Sequence, residues 1–185
     1  MSVSILKTAA DAIVSVLADP TNGFNAQLAT LWMDQNVPGQ AWEIDWSDDS
    51  ANFYRSRLSI TDLYQDEQMT LPAVTLWEAG DQNTNEVVTS TFSGPMAFIV
   101  EQHIVVPAGS IRNFEKVRYA VHDAMFNCFN STVPQTAFLR ANITYNGRLM
   151  MLQPGQIISP TDEQGQDMGD LLQSIQFRLD FDIFA

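Results

Sequence analysis

The chain has 185 residues, 45% of them apolar and 10% aromatic, with 9 basic against 22 acidic side chains and a net charge of −13. That is long and apolar enough for one domain with a real core, cramped for two, and a poor composition for a disordered chain. Residues 1–67 carry −7, residues 68–134 −3 and residues 135–185 −3, so no segment offers the basic stripe that grips phosphates.

An acidic surface serves solubility, and it also lets DNA slide past without sticking. Cys128 is the single cysteine, so no intrachain disulfide is expected, and its place on an apolar stripe reads as core. Thr8 and Asp11 break the N-terminal apolar run, which makes a poor signal peptide. No window approaches the ~18 to 20 apolar residues of a membrane span. A soluble protein made in a reducing cytoplasm, with no membrane partner, is the expectation.

Ile5, Leu6, Ala9, Ala12, Ile13, Val16 and Leu17 recur at three- and four-residue steps, which predicts an amphipathic helix over 3–18. Asp19-Pro20 and Gly23 end it, because proline cannot continue a helix and glycine tolerates the turn. Asn22 or Asn25 can cap a second helix over 26–34 that presents Leu28, Leu31 and Trp32. Alternation over 42–46 predicts a short strand. Asp45, Asp48 and Asp49 fail the calcium-loop pattern, since Ser50 and Ser56 stand where glycine and glutamate are needed. They read as a solvated helix start, with Asp48 or Asp49 near its positive end. Periodicity leaves helix and extended chain open for Phe53, Tyr54, Leu58, Ile60 and Leu63.

From Leu71 the character turns to β: a strand over 71–78 with Pro72 at its start, a polar turn over 79–85, and a strand over 87–92. Ser93-Gly94-Pro95 reads as a break. The strand over 96–106 sets Met96, Phe98, Val100 and Ile104 on one face, with Ala97, Ile99, Glu101, His103 and Val105 on the other. Pro107 stops it, Ser110 caps a helix over 110–129, and Phe114, Val117, Val121, Ala124/Met125 and Cys128 form the stripe that lies on the sheet. A strand over 138–145 turns at Asn146-Gly147, a strong hairpin signal, and returns over 148–152. Residues 153–170, with four glutamines, three glycines, two prolines and four acids, predict an exposed loop.

The stretch 171–184 sets Leu171, Ile175, Phe177, Leu179, Phe181 and Ile183 against Gln176, Arg178, Asp180 and Asp182, the pattern of a strand with one buried and one wet face. One register buries Phe177, Leu179, Phe181 and Ile183 together, against Val117, Val121 and Met125. The resulting expectation is a single α+β domain over 1–185. A helical part over 1–67 precedes a mainly antiparallel sheet and central helix over 68–185, and the helices 3–18 and 110–129 cover one face.

Catalytic signals are absent. His103 and His122 are 19 residues apart with no ligand-spaced Cys or His, which is not a zinc pattern. His122 and Asp123 are neighbours on a helix and do not face each other, so no acid–base pair is expected. His103, on a strand, can bond an adjacent strand or a neighbouring subunit. There is no nucleophile elbow, P-loop or dinucleotide fingerprint, and nothing fixes the acids of 162–170 around a hard cation. No catalytic, cofactor or metal residue is assigned, and no enzyme is expected.

An N-terminal helix closes on Asp19-Pro20, followed by Asn22-Gly23-Phe24-Asn25-Ala26-Gln27-Leu28, the Leu71-Pro72-Ala73-Val74-Thr75-Leu76 strand, a long strand feeding one helix, and a closing strand of alternating aromatics. In this order of elements the chain resembles the tail-terminator and neck (head–tail joining) proteins of tailed bacteriophages. The resemblance implies a virion structural protein that forms a homo-oligomeric, often hexameric, ring. Such a ring caps the tail tube, joins it to the head connector and neck proteins, and passes DNA through its lumen. Residues 40–67 and 153–170 lie outside it. The other readings of the sequence are a small cytoplasmic enzyme and a monomeric binding module.

Within that expectation, Arg148, Leu149, Met150, Met151 and Leu152, with the loop acids Asp162 and Glu163, form the candidate assembly interface. Four consecutive apolar residues cannot all face one core, and methionine adapts to irregular partners. Asp180 and Asp182, on the wet face of the closing strand, are the candidate lumen- or partner-facing acids.

Overall fold

The computed structural model describes residues 5–65, 70–79, 94–107, 111–130, 143–152, 154–161 and 169–183. It contains helices α1 (Ile5–Leu17), α2 (Phe24–Asp34), α3 (Ile60–Gln65) and α4 (Ile111–Asn130). The strands are β1 (Phe53–Tyr54), β2 (Ala73–Glu78), β3 (Gly94–Pro107), β4 (Ile143–Met151) and β5 (Asp170–Ile183). They form one mixed sheet in the order β1-β2-β3-β5-β4, parallel between β1 and β2 and antiparallel elsewhere. This is a single α+β domain.

The axis of the sheet is the pairing of β3 with β5, unbroken from Gly94↔Ile183 to Pro107↔Asp170. Its register sets Phe98 opposite Leu179 and Val100 opposite Phe177, so these residues share one face, and all are buried. A one-residue slip would turn every one of them to the other side. Phe114, Val117, Val121, Ala124, Met125 and Cys128 of α4 meet that face, together with Ile13, Val16 and Leu17 of α1. α2 packs along α4 and buries Phe24, Leu28 and Trp32. The expected core and closing register are therefore present. Ile183 pairs through its backbone, and its side chain lies outside the described set.

The first turn is fixed locally. The Asp19 carboxylate accepts from the amides of Thr21 (2.9 Å) and Asn22 (2.7 Å), and these bonds hold its pKa below the usual carboxylate value. A Cβ on Gly23 would strike the carbonyls of Leu17 and Asp19, so only glycine fits there.

Several local expectations are corrected. Gly23, not Asn22 or Asn25, is the N-cap of α2. Asn25 instead clasps the following segment, donating to the Ile44 carbonyl (2.8 Å) and accepting from the Ile44 amide (3.0 Å). Asn52 does the same from the other side, accepting from the Asp45 amide and donating to the Glu43 carbonyl, both at 3.0 Å. Residues 42–46 are accordingly an extended segment satisfied by side-chain amides, not a strand. Its indoles pack edge-on, Trp42 to Trp32 and Trp46 to Phe24. The acids after it precede β1 rather than a helix, and Asp48 is bound by Arg55 at 2.6 Å.

Gly94 and Pro95 belong to β3, at its end, where a missing amide does least harm. Asn146-Gly147 makes no hairpin. β4 runs through it, and the register jump between Tyr145↔Phe181 and Arg148↔Asp180 makes the two residues a bulge against β5. The expected elements over 80–92 and 138–142, and the Ser110 cap, lie outside the described residues. α3 packs against β5 apart from the main core, with Ile60 and Leu63 buried, so not every helix shares one layer.

Candidate functional site

Two surfaces of the sheet carry the groups that chemistry or assembly could use. The first is the edge at β4. Because β5 fills its inner side, the outer side of β4 has no strand partner among the described residues. Leu149 lies opposite Leu179 and packs partly against the core. Met151 lies opposite Phe177 but remains 41% exposed, and Met150, opposite Arg178, points to the second face. Arg148 holds the register position opposite Asp180.

The loop predicted after β4 begins as a continuation of this edge. The amides of Leu152, Gly155 and Ile158 donate to the carbonyls of Gln176, Ser174 and Leu172, at 2.8, 2.9 and 2.8 Å. Gln173 adds a side-chain bond to the Gly155 carbonyl at 2.8 Å. This stretch packs back on its own domain yet leaves Ile157 (44%) and Ile158 (39%) exposed. Together with Met151 they are three of the five large apolar residues exposed among the described ones, the others being Met33 and Tyr119. Asp162 and Glu163 lie outside the described residues.

The second surface is the face of the sheet turned away from α4, and it is not simply wet. His103 is fully buried there, with Nε2 3.1 Å from Thr75 Oγ1 on β2 and Nδ1 2.9 Å from Ser174 Oγ on β5. Glu101 sits 4.0 Å from His103 and accepts from Gln176 Nε2 at 3.2 Å. Burial pushes His103 down to about 4 and raises the Glu101 carboxyl, partly offset by its bonds to Gln176 and Ser174 and by Arg57. Serine, histidine and glutamate thus meet, but with both imidazole nitrogens held by hydroxyls and no exposed ring edge. The arrangement ties three strands together. The sequence anticipated a strand-to-strand bond for His103; the partners, far away in sequence, were not legible.

Asp180 accepts from Arg178 Nε at 2.8 Å and is largely shielded, so its charge is compensated within the strand. Asp182 pairs with Pro95 and Thr144 through the backbone register. His122 and Asp123, expected not to meet, do so at 2.8 Å, because side chains splayed from adjacent helical positions converge while the ring lies tilted on Phe126. Cys128 is buried, which raises its thiol to about 12 and leaves it inert as a nucleophile.

A cleft of about 510 Å³, unforeseen from the sequence, opens between α3 and residues 158–161 over Leu172. The Tyr64 hydroxyl at its wall donates to Asp170 at 3.3 Å, and burial followed by that carboxylate raises the phenol above its ordinary pKa. Among the described residues, no helix is long and apolar enough to cross a membrane. Compared with known proteins, the chain matches no family model and no curated protein.

Proposed function

We propose that this chain is a virion structural protein that assembles into a ring, on the pattern of the phage tail-terminator and neck proteins it resembles. In that role the ring caps the tail tube, joins it to the head connector, and passes DNA through an acidic lumen. The observation that carries the reading is the β4 edge, where Met151, Ile157 and Ile158 offer apolar surface beside a strand with no outer partner among the described residues. Exposed apolar side chains gathered at one edge suit a surface that assembly buries. The net charge of −13 suits a channel that DNA crosses without binding.

The test is light scattering on the purified protein, alone and with a tail-tube protein, followed by electron microscopy of the mixture. Rings or capped tubes are expected. A strict monomer under both conditions overturns the proposal. It would favour a monomeric binding module, the reading that the 510 Å³ cleft beside α3 supports.

A further inference from the structure

Residues 124–161 contain no Asp or Glu and two arginines, Arg140 and Arg148, in a chain whose remaining residues hold all 22 acids. The described part of this stretch includes β4 and its continuation, and so the exposed Met151, Ile157 and Ile158. The opposite edge of the sheet has the contrary character. Residues 43–50 lead into β1, the other outermost strand, and Glu43, Asp45, Asp48 and Asp49 are all exposed there. The arginines nearby are already engaged: Arg55 with Asp11 (2.7 Å) and Asp48 (2.6 Å), Arg57 over the Trp77 ring. Half-buried Trp42 and Trp46 lie among these acids and add apolar surface.

We infer that the β4 edge of one copy docks on the acidic β1 edge of a second copy of this chain. The inference rests on the ring reading above and adds which surfaces meet. Charge complementarity selects the occupant: two copies, each at −13, repel over most of their surfaces, and the acid-free edge is where an acidic neighbour is tolerated. Apolar contact between Ile157, Met151 and the tryptophan-bearing segment then supplies the attraction. β1 is two residues long, so the contact is made by side chains and not by a continuous ladder. The two edges are separated by four strand spacings, about 19 Å at ~4.8 Å each. The contact is therefore heterologous: every copy that binds leaves one edge of each kind free, and the chain of contacts ends only by closing into a ring.

Two exposed-residue variants test this by sedimentation velocity, with circular dichroism confirming that each is folded. The first carries Met151→Gln and Ile157→Gln and removes the apolar surface of the β4 edge without adding charge; Ile157→Gln alone serves if the pair prevents folding. The second carries Glu43→Lys and Asp49→Lys and reverses the acidic edge, sparing Asp48 and its bond to Arg55. Each variant alone is expected to stay monomeric at tenfold the concentration at which the native protein assembles. A 1:1 mixture is expected to form a dimer and stop there, because only one intact edge of each kind remains. If the acidic-edge variant alone assembles like the native protein, or the mixture stays monomeric, the inference is overturned while the ring reading stands. A native protein that is itself monomeric, even with tube protein, overturns both.

Discussion

The imidazole of His103 on β3 and the hydroxyl of Ser174 on β5 meet at 2.9 Å, in register and out of contact with solvent at the ring. With Thr75 on the other ring nitrogen, this makes a polar tie across three strands. Removing one member strands a buried polar atom, which costs about 1–3 kcal/mol. Ser174→Ala and Thr75→Val should each lower stability by that amount in urea titration, while Ser174→Thr, which keeps the hydroxyl, should lose much less.

Acid should weaken the fold through the same residue. His103 titrates at about 4 when folded against 6.5 in the reference state, so the unfolded chain binds more protons between those values. Stability should therefore fall as pH drops from 6.5 towards 4, by at most about 3 kcal/mol from this group. Glu101 acts in the opposite sense: with its folded pKa raised, its ionisation costs stability as pH rises through that pKa. Glu101→Gln should thus raise stability near neutrality and steepen the acid loss. Urea melts from pH 4 to 7.5 read both slopes, and a flat profile in Glu101→Gln, where no Glu101 contribution offsets it, would contradict the buried, neutral His103.

The clasp on residues 43–45 should be sensitive to its asparagines. Asn25→Ala removes two hydrogen bonds to Ile44, and Asn52→Ala removes those to Glu43 and Asp45. Each should cost about 1–3 kcal/mol. Tryptophan fluorescence should shift to the red as Trp42 and Trp46 loosen.

Phe181 is 1% exposed, lies edge-on to Phe98 at 6.3 Å, and occupies the shared register of the core. Phe181→Ala should cost about 3–5 kcal/mol. Phe181→Asp, a carboxylate with no partner in that core, should abolish soluble folding. A thermal melt in which Phe181→Asp proved harmless would overturn the register.

Asp180→Asn, by contrast, removes a partly shielded ion pair with Arg178 that is worth about 1 kcal/mol or less. The fold should survive it. With Asp182→Asn added, a change confined to assembly or DNA passage is expected, read by microscopy and by DNA retention in assembled particles.

Strong periodicity made much of this architecture legible in the sequence. The stripe from Phe114 to Cys128 and the alternation from Leu171 to Phe181 each bury one face, and that constraint carries their type, extent and register. What periodicity could not convey was who satisfies the backbone. Residues 42–46 alternate like a strand, yet the side-chain amides of Asn25 and Asn52, on either side of it, take the place of a neighbouring strand. Asn146-Gly147 has the chemistry of a two-residue turn, but β5 pairs on both sides of it and holds the chain straight through. The tie at His103 needed residues 28 and 71 positions away, which no local pattern reveals.

β5 comes after both β3 and β4 in the chain but lies between them in the sheet. During synthesis, neither neighbour can therefore complete its pairing on that side until β5 has left the ribosome. Until then β3 and β4 present unpaired edges, the condition under which nascent chains pair wrongly with one another. β5, made after both of its neighbours, is the keystone of the sheet in time as well as in space. Shortening the interval between β4 and β5, or delaying translation within it, should change the yield of soluble protein without altering the stability of molecules that do fold.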